Sequence, residues 1–235
     1  MRLLVAAAVL SGLLAPARAD APGGPQLFGG GRPGQEEVYR APPMSPGARR
    51  EAEAKLAEAR AAYEKDPNDA DALIWLGRRT AYLGRFDEAI ELYTEGIARH
   101  PRDARLYRHR GHRYITTRRY EEAVRDLERA ARLIKGRRDE AEPDGLPNAR
   151  NTPTGTLASN VWYHLRLARY LLGDFRGALG AYRECEKFSK NPDTLVATSH
   201  WLYMTLRRLG RGEEARRVLG RITPGMDVIE NGDYL

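Results

Sequence analysis

His109 and His112 stand three residues apart, a spacing that puts two imidazoles on one side of a helix, where a single metal ion can reach both. His164, from a later segment, is the candidate third donor. The surroundings speak against a cation: arginines flank the pair, and no carboxylate is spaced to converge on it. Hydrolytic chemistry has less support. Ser159, Ser189 and Ser199 have no Gly-x-Ser-x-Gly setting and no base-and-acid context. Gly29-Gly30-Gly31 invites comparison with a phosphate loop, but no lysine-serine or lysine-threonine pair follows and no strand precedes it. The single cysteine, Cys185, excludes an intramolecular disulfide and shares an apolar helical face with Leu179 and Tyr182, as a small buried hydrophobe would. Glu121-Glu122 and Glu213-Glu214 stand where helices start, where negative charge suits the helix dipole. The reading is no enzyme, with no catalytic residue, no metal and no cofactor. Its alternative is a metal- or small-ligand-binding, enzyme-like protein that uses the histidines.

The charge balance narrows the class of partner. The 235 residues carry a net charge of +7, almost all of it from arginine, the better fork for carboxylates and phosphates. That charge suits acidic peptides, anionic headgroups or nucleic acid. The N-terminus then bears on the choice. Met1-Arg2, the apolar run Leu3 to Leu14 and Ala17-Arg18-Ala19 have the three parts of a secretory signal peptide over residues 1–19. The apolar run is too short for a stable membrane anchor. Export, to the periplasm or the cell exterior, argues against nucleic acid and leaves a protein or peptide partner. Residues 20–46, with Gly29-Gly30-Gly31-Arg32-Pro33-Gly34 and Pro42-Pro43, read as a flexible tether.

The elements that must position the histidines and arginines repeat at a fixed period. Ser45-Pro46 gives an N-cap and a first-turn proline, and a helix-prone stretch runs from there to Lys65. A shift of 34 residues then pairs Leu73 with Tyr107, Gly77 with Gly111, Phe86 with Tyr120, Ala89 with Ala123 and Tyr93 with Leu127. Such a period implies stacked supersecondary units. Each unit reads as a helix, a glycine turn such as Leu83-Gly84-Arg85, and a second helix ended by proline. Leu76-Gly77, Phe86, Ala89, Tyr93 and Pro101, repeated as His109-Arg110-Gly111, Tyr114, Tyr120 and Ala123, resemble the tetratricopeptide-repeat (TPR) pattern. Two looser units follow, 37 residues apart, with Arg166 and Tyr203 where a small glycine is expected. The resemblance implies an all-α, right-handed α-solenoid of about four helix-turn-helix units over residues 47–222.

The resemblance also implies that the first helix of each unit lines a concave groove. The stripes it picks out contain Trp75, Arg78, Arg105, Arg108, His109, His112, Tyr163, His164, His200 and Trp201. Aromatics provide area there, and arginine and histidine provide donors, which suits an acidic peptide segment. The lysine and asparagine clamp that some relatives use for a C-terminal carboxylate is not met, since Ile74, Arg78 and His109 stand in its place. Affinity is expected to fall with salt and to rise as pH drops through about 6.5, where an unperturbed imidazole gains a proton. Residues 136–158, rich in proline and glycine, interrupt the repeat and predict a mobile flap. Residues 223–235 are a tail too short for a capping helix pair, expected to dock on a partner or on the body itself.

Overall fold

The computed structural model describes residues 43–234, so the expected signal peptide and most of the tether lie outside the described residues. Ser45 starts the first helix, α1 (Pro46–Lys65): its hydroxyl accepts from the Ala48 N–H at 3.2 Å, and Pro46 fills the first-turn position, where no N–H is needed. Four helical pairs follow: α2 (Ala70–Tyr82) with α3 (Phe86–Arg99), α4 (Ala104–Thr116) with α5 (Tyr120–Ile134), α6 (Leu157–Leu171) with α7 (Phe175–Glu186), and α8 (Pro192–Arg208) with α9 (Gly212–Leu219). The chain is thus an all-α solenoid of helix-turn-helix units. Asp69 and Asp103, 34 residues apart, cap α2 and α4, while Thr156 and Asn191 close full capping boxes on α6 and α8. The turns inside the pairs need a left-handed residue. Gly84, Gly173 and Gly210 supply it, and Arg118 takes φ 57° in the second unit.

Each helix packs on its chain neighbours, and α2, α4, α6 and α8 also touch one another in succession. These four form the inner row, with α3, α5, α7 and α9 outside. The glycines at the crossings are required by contact. A Cβ on Gly77 would lie 2.5 Å from the Tyr93 ring, and one on Gly111 would lie 2.8 Å from Leu127 Cγ. In the third unit the equivalent residue, Arg166, is fully buried, and its guanidinium lies between the Tyr163 and Tyr182 rings at 4.2 and 4.5 Å. Cation–π contact takes the place of close helix approach there, which accounts for the departure from the repeat pattern. Leu73, Leu106 and Leu127 are fully buried between units, each contributing about 1.5–3 kcal/mol of burial free energy.

Residues 136–156 do not project as a flap. They leave α5 through Gly136 at φ 74°, cross the inner row, and return through an antiparallel bridge between Ala141 and Thr156. The tail folds back onto α8 and ends in a 3₁₀ turn, Gly232–Tyr234.

Candidate functional site: a filled concave groove

The site is built where α2, α4 and α6 meet the 136–156 segment. The mouth of that segment is fastened first. Asp139 Oδ1 accepts from the Ala158 N–H at 3.0 Å, Glu140 O accepts from the Leu157 N–H at 2.9 Å, and Glu142 N–H donates to Gly155 O at 3.0 Å. The next residues run extended over the groove. Glu142 points inward: one carboxylate oxygen lies 2.9 Å from Arg108 Nη2 and 3.8 Å from His109 Nε2, and the other accepts from Asn160 Nδ2 at 3.1 Å. Arg78 donates to the Pro143 carbonyl at 2.8 Å, and Arg79 to the Gly145 carbonyl at 2.7 Å. Trp75 lies beneath both guanidiniums, at 4.4 and 4.9 Å. Gly145 is pressed so closely on Tyr82 that a Cβ would sit 1.5 Å from the phenol oxygen. Any side chain there would displace the Tyr82 phenol and the Arg78 guanidinium.

The groove is strongly cationic and largely shielded from solvent. The Arg108 and Glu142 side chains are only 9% and 11% exposed, and Arg78 and Arg113 are buried beside them. A buried carboxylate–guanidinium pair is costly to break from one side, because the remaining charge stays buried. Arg108 also donates to His109 Nδ1 at 3.0 Å, which puts the His109 proton on Nε2, facing Glu142. His164 donates from Nδ1 to the Asn160 carbonyl at 2.6 Å, and its ring centre is 4.2 Å from that of His112. Burial first, then the neighbouring guanidiniums, hold His109, His112 and His164 well below the ordinary imidazole range. Both effects favour the neutral imidazoles, against the expected gain of groove charge near pH 6.5. Asp144 runs the other way: burial and the nearby Glu230 push its carboxyl up to about 6.

The tail closes the far end. Asp193, at the start of α8 and almost fully buried, accepts the backbone N–H groups of Ile229, Glu230 and Asn231 at 2.7–3.1 Å. Glu230 in turn accepts from Asn148 Nδ2 and Thr154 Oγ1, both at 2.7 Å, and Arg150 forks onto Asp227. The Tyr234 ring lies tilted against His200, with centroids 4.7 Å apart, and its phenol neighbours that of Tyr163.

Of the residues named from sequence, Trp75, Arg78, Arg108, His109, His112 and His164 come together beneath the crossing segment. Tyr163 and His200 lie under the tail. Arg105 stands apart, paired with Asp103 and Asp71, and Trp201 is buried in the core between α6, α7, α8 and α9. Sequence reasoning missed Glu142, Arg79 and Asp193. The signal for Glu142 was present: an acidic run, Asp139-Glu140-Ala141-Glu142-Pro143-Asp144, faces a stripe with surplus cations. Among the described residues no group of three or more His, Cys, Asp or Glu is placed to hold a metal ion.

Fold and repeat pattern together define a TPR-like protein. Among solved structures, the chain is similar to MamA (16% identity over 74% of this chain and 82% of that one, TM-score 0.56). It is similar to MamA from Desulfovibrio magneticus RS-1 at 15% identity over 74% and 85%, TM-score 0.56. It also resembles a thermophilic TPR protein of Thermus thermophilus at 21% identity over 74% and 83%, TM-score 0.53. No family model and no curated relative matches the sequence.

Proposed function

We propose that this chain is an exported, non-enzymatic protein-interaction module whose concave groove recognises an extended acidic segment of a partner protein. One observation carries the reading: the groove already holds such a segment, the chain's own residues 139–145, by one buried carboxylate on Arg108 and two backbone carbonyls on Arg78 and Arg79. Carboxylate–guanidinium contact supplies orientation, and carbonyl acceptance makes the site read an extended backbone. A partner with the same chemistry competes with the resident segment. Nucleic acid fits poorly, because the cations of the groove are buried beneath protein. No helix of the described residues is long and apolar enough to cross a membrane.

The test uses a fluorescent peptide with the sequence of residues 139–145 and a variant in which those residues are replaced by a Gly-Ser linker. The peptide should bind the variant more tightly than the natural chain, lose affinity as salt is raised, and release on Arg108→Ala. Absence of binding to the linker variant would overturn the groove reading. Export is tested separately: N-terminal sequencing of secreted material should begin near Asp20, and an intact Met1 on a cytoplasmic product would refute it.

A further inference from the structure

A second groove opens on the outer face, walled by α5 and α7 and floored by α6, with a volume of about 1420 Å³. Its apolar lining includes Ile134, Leu157, Trp162 and Phe188, all only partly buried. The groove exists because its walls are short of side chains: Ala131 lies on α5, and Gly177, Gly180 and Ala181 on one stripe of α7. Gly180 is the telling residue. Mid-helix glycine is destabilising by about 1 kcal/mol relative to alanine, and Gly77 and Gly111 have a packing reason that Gly180 lacks. A Cβ there would meet nothing within 4 Å. The space it leaves is not used by this chain.

The charge at the lip is mixed with a cationic excess: Asp103 is paired with Arg105, and Asp139 and Glu140 also line it. Glu128 and Glu184 are neutralised by Arg169 and Lys187. Arg102, Lys135, Arg137 and Arg138 are exposed and make no ion pair with another described residue. The floor consists of helix side chains whose backbone groups are already bonded, within α6 or, for the Leu157 and Ala158 N–H groups, to Glu140 and Asp139. An extended peptide laid there would have its own N–H and C=O groups unsatisfied, whereas a helix brings them satisfied.

We propose that this outer groove docks a partner helix bearing an apolar stripe flanked by glutamate or aspartate. Asp139 and Glu140 line it and also begin the segment that fills the concave groove, so the two grooves share a boundary. The probe is a labelled sixteen-residue designed helix with leucine at i, i+3/i+4 and i+7 and glutamates on both flanks, titrated against the full chain by anisotropy. Micromolar binding is expected. It should weaken at least tenfold in Gly180→Leu, which fills open space and keeps helicity by circular dichroism. It should weaken equally in the double variant Arg137→Glu with Arg138→Glu. Three results would overturn the proposal: no measurable binding, binding that ignores both outer-groove variants, or equal binding of a non-helical peptide of the same charge.

Discussion

Single residues decide two properties of this protein. Gly111 has no side chain because Leu127 occupies the place of one, so Gly111→Leu is expected to lower stability by about 1–3 kcal/mol through overpacking. An unchanged urea midpoint would contradict the contact. The second property is the response to acid. His109, His112 and His164 have folded pKa values well below the ordinary one. Between those values and about 6.5, the unfolded chain binds more protons than the folded one. Their contribution to stability is therefore complete above about pH 6.5 and is lost as pH falls below it. Asp144, raised to about 6, opposes this in part at lower pH. The urea midpoint at pH 5.5 should lie below that at pH 7.5; an equal or higher value at pH 5.5 would show that the histidines are not buried neutral. The sequence makes the histidine cluster visible but not its protonation, because the depression comes from burial and from guanidiniums that only the packed helices bring together. Arg166 shows the same limit: the pattern marked it as anomalous, and only the flanking Tyr163 and Tyr182 rings explain it.

At the scale of elements, the helical pairs are legible in the 34-residue period, the Ser45-Pro46 start and the turn glycine Gly84, whereas α3, α5 and α9 start without a side-chain cap and Arg118 replaces a turn glycine. The 136–156 segment was misread because its prolines and glycines have no periodicity. Its order comes from long-range partners instead. Gly145 suits a flexible loop in sequence, yet it is where the backbone meets Tyr82. Limited proteolysis should leave residues 140–155 intact in the natural chain. In Glu142→Ala the buried Arg108 loses its counter-charge, at a cost of roughly 3–5 kcal/mol, and cleavage within 140–155 should appear. Equal resistance of both proteins would mean that the carboxylate does not hold the segment.

The whole molecule departs from the usual logic of a solenoid, in which each repeat depends on its neighbours alone and the last unit frays first. Here residues 148–154 bond to residues 227 and 230, and Asp193 gathers three N–H groups of the tail. Amide hydrogen exchange should accordingly show α8 and α9 as protected as α4 and α6, and Asp193→Ala should drop the protection of α8 and α9 selectively. Uniform loss along all the helices would point to a single cooperative unit instead. The tie also makes groove and terminus one thermodynamic system. A ligand that displaces residues 139–145 from Arg108 withdraws support from the tail, so it loosens the final helical pair. By the reciprocity of coupled equilibria, any agent that loosens α8 and α9 raises the groove's affinity for that ligand, an effector site with no contact to the groove at all.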